Sequence, residues 1–167
     1  MADDHAERGA AGRRRRLTPA ARASLRAAGW YPGRRVEIGD VVARLESLAV
    51  PVPSAARAFL AEYGDLRLVH EPSAEINGRL VRSFTDTGHA RRTTGHGALF
   101  RAAVAEAAGA AVCPVARTSF HVTIHVAEDG RFYGDRDAAV YFFGADAAAF
   151  LNLAVTGRKP PLFAGFE

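Results

Sequence analysis

The sequence predicts an α+β domain in which an antiparallel sheet packs against helices and the N-terminal third is helical. Apolar residues recur at three- and four-residue steps between positions 18 and 64, whereas strict alternation takes over from Phe120 to Val126 ahead of a Glu128-Asp129-Gly130 turn. The strand-helix-strand order of a parallel sheet is absent, which leaves segregated helices and hairpins.

Thr18 before Pro19 reads as a cap and first-turn pair, and Ala21, Leu25 and Ala28 form an apolar face ending at Gly29. After the Trp30-Tyr31-Pro32-Gly33 turn, Ile38, Val41, Val42, Leu45, Leu48 and Ala49 predict a second helix over about Asp40 to Ala49. Pro51 and Pro53 stop it, and Ser54 can cap a third helix, Ala55 to Tyr63, closed by Gly64. Leu66 and Leu68 alternate with Arg67 and Val69, and Leu80 to Phe84 follows an Asn77-Gly78 turn, so both read as strands. Thr85 to Gly97 is a polar loop, and Leu99 to Ala108 a helix ending near Gly109. The alternating strand Phe120 to Val126 turns at Gly130 into Arg131 to Asp135, and Ala139 to Phe143 adds another strand. Asp146 can cap a last helix carrying Phe150, Leu151, Ala154 and Val155, which Gly157 ends. Three units result: a disordered basic tail at 1–16, a folded domain at 17–157, and a loose C-terminal tail at 158–167.

The chain has 167 residues with 22 basic and 18 acidic groups, enough for one core that buries roughly 70% of the unfolded surface. A single Cys excludes an intrachain disulfide and cysteine-based zinc modules. No apolar run approaches the ~20 residues of a membrane span, so the expected address is cytoplasmic. Arg13 to Arg16 suggests a nucleic-acid arm or an export signal. The export reading lacks a following apolar stretch, since Arg22 and Arg26 interrupt it, and the nucleic-acid reading lacks a basic stripe with interleaved aromatics. A solvated tail accounts for the run better.

The search for chemistry returns little. His121 and His125 lie four strand positions apart, roughly 13 Å, too far for one ion, and are expected to face solvent. Asp129, Asp135 and Asp137 lack the Gly and terminal Glu of a calcium loop and read as hairpin turn and exposed polar face. Gly95-His96-Gly97 fails the dinucleotide fingerprint. Cys113, between Val112 and Pro114, reads as a buried small hydrophobe. No metal, cofactor or catalytic residue is expected. The candidate partner-binding residues are the acidic cluster Glu62, Asp65, Glu71 and Glu75, with the turn and hairpin aromatics Tyr31 and Tyr133.

Several strings, in order, resemble the SUKH superfamily of bacterial immunity proteins, in particular its third subfamily. They are Gly29-Trp30 with Pro32-Gly33-Arg34; Phe59-Leu60 with Glu62-Tyr63-Gly64 and Leu66; Cys113-Pro114; Asp129-Gly130-Arg131 through Tyr133-Gly134; and Gly144 with Asp146, Leu151, Leu153 and Gly157. The resemblance covers about Leu17 to Gly157. It implies a non-enzymatic protein that binds and neutralises a cognate secreted or contact-delivered toxin, commonly a nuclease or other nucleic-acid-modifying effector. The competing readings are a nucleic-acid binder using Arg13 to Arg16 and an enzyme with a loop site around His89, Arg91, Arg92 and His96.

Overall fold

Helix α1 (Pro19–Ala27) begins where Thr18 Oγ1 accepts the Ala21 N–H at 3.2 Å, with Pro19 in the first turn, where its missing N–H costs nothing. It ends in a six-residue loop closure: the Trp30 N–H donates to the Leu25 carbonyl at 2.9 Å around Gly29 at φ 98°. Helix α2 (Gly39–Ser47) closes in the same way, with Ala49 forced into the left-handed position at φ 54°. In α3 (Ser54–Tyr63) the flanking residue is Pro53, and Ser54 is the first helical residue rather than a side-chain cap.

The computed structural model describes residues 16–70, 75–76, 79–80, 83–137 and 139–165. The expected tail up to residue 15, the Asn77-Gly78 turn and Glu71 lie outside these residues, as do the side chains of Glu75 and His96.

Gly64 closes α3 by a different route from the one expected. Its backbone is extended, at φ −61° and ψ 155°, so no left-handed turn requires glycine. Close approach requires it instead, because a Cβ at this position would stand 2.3 Å from the Leu60 carbonyl oxygen. The obstacle is backbone and cannot swing aside. Gly64→Ala is expected to cost about 2 to 3 kcal/mol, within the range for overpacking, as read by chemical denaturation. A loss under about 0.5 kcal/mol would mean that the helix end shifts freely.

Strand β1 (Arg67–His70) leads to a separate two-strand ribbon, β2 (Glu75–Ile76) and β3 (Arg79–Leu80), and then to β4 (Ser83–Asp86). Two 3-10 turns, His89–Arg92 and Gly95–Gly97, shape the expected loop before helix α4 (Ala98–Ala108). The remainder alternates in hairpins: β5 (Val112–Thr118), β6 (Thr123–Ala127), β7 (Phe132–Arg136) and β8 (Ala139–Gly144), followed by α5 (Ala147–Ala154) and β9 (Leu162–Gly165). Every pairing is antiparallel, and the seven-strand order is β1-β4-β5-β6-β7-β8-β9. The fold is α+β, as predicted.

The sheet buries both faces. On one, Leu68, Cys113, Val115, Ile124, Val126 and Phe132 meet the apolar stripes of α1, α2, α3 and α5. Phe132 and Phe150 stack there with ring centroids 4.9 Å apart, and Phe59 packs against both. On the other, Val112, Ala127, Tyr133 and Val140 pack against Val104 and Ala108 of α4. Strand parity follows: in β6, Ile124 and Val126 point to the first face, Ala127 to the second.

Two expectations change at the sheet. Residues 112–118, which the reading of periodicity leaves without an element, form a central strand. Pro114 is tolerated there because β4 pairs with β5 only at Arg117 and Thr118, and the β5–β6 register shifts between Pro114 and Ala116. The C-terminal segment, expected to be loose, contributes β9 to the sheet edge, and Phe163 lies edge-on to Tyr133 at 5.1 Å. Aromatic packing recovers what two prolines and a short apolar run obscure.

Candidate functional site

The β5–β6 hairpin turns through Ser119 to Val122, with His121 at φ 62°, so the strand starts at Thr123 rather than Phe120. His121 remains exposed, and its Nδ1 meets Arg117 at 3.0 Å. His125 does not face solvent as expected. Parity puts it on the second face beside Ala127, where it is 3% exposed, and its Nε2–H donates to Asp135 Oδ1 at 2.6 Å. Asp135 is correspondingly buried rather than part of an exposed polar face. His125 Nδ1 has no hydrogen-bond partner among the described residues, an unusual state for a buried polar atom.

This pair lines a groove of about 480 Å³ between the 3-10 turns, the start of α4 and the β5–β7 end of the sheet. Arg92, Arg101, Arg117 and Arg136 line it too. Arg92 is paired with Asp86, and Arg136 Nε with Asp137 Oδ2 at 2.8 Å. Arg101 and Arg117 make no ion pair among the described residues. Burial, with Arg117 and Arg92 adding to it, lowers the His89 pKa and favours the neutral ring. Set against the Asp135 and Asp137 carboxylates in the same lining, these four arginines leave the groove with a positive balance. On the first face, at the same end of the sheet, a second cleft of about 500 Å³ is lined by Phe120, Val122, Tyr141 and Phe143, with Arg158 and Lys159 beside them.

The expected acidic cluster is only partly assembled. Asp65, at φ 59°, accepts from Arg91 Nε at 2.7 Å, and the same guanidinium pairs with Asp40, so one Arg is shared by two carboxylates. Glu62 is half-buried at the end of α3, and Arg34 donates to its backbone carbonyl at 2.8 Å. Of the two aromatics, Tyr31 is 59% exposed and Tyr133 wholly buried, its ring between Phe142 and Phe163. Tyr133 offers a partner nothing in this packing, because it lies on the face that α4 covers. The supposed loop site also divides. Arg91 turns to the acidic side, whereas His89 and Arg92 line the basic groove.

Cys113 is buried in the first-face core, and burial pushes its thiol up to about 12, so no reactive thiolate forms. Among the described residues no three His, Cys, Asp or Glu side chains converge as a metal cluster, and no helix is long and apolar enough to cross a membrane.

Fold and groove together define a helix-covered antiparallel α+β domain with charged surfaces open to a partner. A family model described as SUKH-3 immunity protein matches residues 17–157, and the chain belongs to that family. No curated protein and no solved structure matches it.

Proposed function

We propose that this chain binds and neutralises a cognate protein toxin by stoichiometric association in the cytoplasm, without turnover, and that the toxin is a nuclease or another nucleic-acid-modifying effector. The observation that carries this reading is the immunity-family match over nearly all of the described chain. The inert, buried Cys113 agrees with a binding role. Glu62, Asp65 and the exposed Tyr31 ring are proposed contacts. Asp40 and Asp65 outnumber the Arg91 between them, so this ridge keeps a negative balance that can steer a basic partner.

The test is titration of the toxin domain encoded beside this gene with the purified chain, in parallel with co-expression. Inhibition should saturate at one equivalent, and co-expression should restore growth. Full protection at far below one equivalent would replace binding with catalysis.

A further inference from the structure

The groove between the 3-10 turns and the sheet holds more positive charge than the protein itself neutralises. Asp86 and Asp137 pair with Arg92 and Arg136, and Asp135 adds a third carboxylate, but among the described residues neither Arg101, which is half-buried, nor Arg117, which is exposed and meets only the His121 ring, has an ion-pair partner. The Arg101 guanidinium, partly out of water, has lost hydration without receiving a carboxylate in exchange. Behind these groups the Nδ1 of buried His125 has no hydrogen-bond partner among the described residues. Beside them, at the first turn of α4, Leu99 is 84% exposed and Phe100 51% exposed, and Phe100 lines the groove.

An exposed aromatic ring, Phe100, next to arginines without carboxylate partners has the composition of a protein-binding hot spot, where aromatic residues and Arg are enriched and Lys is depleted, and Leu99 extends the apolar surface beside it. A nucleic acid would use the arginines but leave Leu99 exposed. A small anion would use neither apolar side chain. A guanidinium fork matches a carboxylate with two parallel hydrogen bonds, so Arg101 and Arg117, which lack carboxylate partners among the described residues, can each take an acidic group.

We infer that the groove receives an acidic segment of the toxin, with carboxylates meeting Arg101 and Arg117 and an apolar side chain seated on Phe100 and Leu99. This rests on the toxin-binding reading and names the chemistry of the partner's contact. The groove and the acidic ridge flank one 3-10 turn, through Arg92 and Arg91 respectively. Opposite charges on its two sides fix the orientation of the partner, since a reversed approach would set like charges together.

The experiment measures affinity and association rate for the adjacent toxin domain, inactivated at its active site, against the wild-type chain and three variants. Arg101→Glu with Arg117→Glu should weaken binding on the order of 100-fold and flatten its salt dependence. The exposed Arg117→Glu alone should slow association with an unchanged melting temperature, and Phe100→Ala should raise the dissociation rate by about tenfold or more. If the wild-type chain binds and all three variants bind equally well, the groove is not the docking site and the toxin reading stands without it. If the wild-type chain does not bind the toxin at all, the toxin reading itself falls. A 20-nucleotide RNA held at physiological salt as tightly as the toxin, and released by the double charge reversal, would give the groove to nucleic acid and overturn the assignment.

Discussion

Trp30→Ala is expected to lower stability by about 3 to 5 kcal/mol, the range for removing a large aromatic from a core. Trp30 is 7% exposed, and its ring lies nearly parallel to that of Tyr63, centroids 6.1 Å apart. The indole thus joins the end of α1 to the end of α3. Its backbone N–H also closes α1 on Leu25, so the chain cannot readily swing the residue outward. In a domain of this size the loss corresponds to a fall in melting temperature of roughly 10 to 20 °C. Trp30→Phe separates packing from polarity. The indole Nε1 is buried without a partner among the described residues, so Phe should recover much of the loss by keeping a ring while removing an unsatisfied donor. If Trp30→Ala unfolds at the wild-type denaturant concentration but loses toxin affinity, the side chain belongs to the interface instead.

That anchor is visible in the sequence because its surroundings are local. Thr18, Pro19, Gly29 and Asp146 mark helix ends through hydrogen bonds and dihedral angles that involve only near neighbours. The Gly130 turn is legible for the same reason: its hydrogen bonds join Ala127 to Gly130 and Arg131. The missed features depend on distant chain. Residues 112–118 carry no element in the sequence reading, and the strand can run through Pro114, which has no N–H to donate, only because β4 stops short of it. Alternation in β6 correctly divides the strand into two faces, but parity cannot say which faces are covered. The covering helix, α4, is largely Ala and carries a weak apolar stripe, so His125 and Asp135 look solvent-facing when α4 and the 3-10 turns in fact enclose their side of the sheet. The basic groove was hidden in the same way, because Arg92, Arg101, Arg117 and Arg136 come from four different elements.

The His125–Asp135 pair should respond to single and paired substitution in opposite ways. Asp135→Ala removes the only hydrogen-bond partner that a ring 3% exposed has among the described residues, and leaves both of its nitrogens unsatisfied there. Breaking a buried pair in this manner costs about 3 to 5 kcal/mol, most of it the desolvation of the group left behind. Asp135→Asn keeps an oxygen that can accept the Nε2–H and should lose only about 1 kcal/mol, the difference between a charged and a neutral acceptor. Replacing both residues with apolar ones, His125→Leu with Asp135→Val, removes the polar groups together and should return stability to within about 1 kcal/mol of wild type or above it. Urea denaturation of the four proteins checks the pattern, provided the slope with denaturant stays constant. A double variant as unstable as Asp135→Ala would show that the pair stabilises the fold beyond its own mutual satisfaction. A stable double variant with weakened toxin binding would show why a buried ionisable pair persists where apolar side chains would fold as well: Asp135 lies among the groove's arginines, and the pair holds the floor against which they are set.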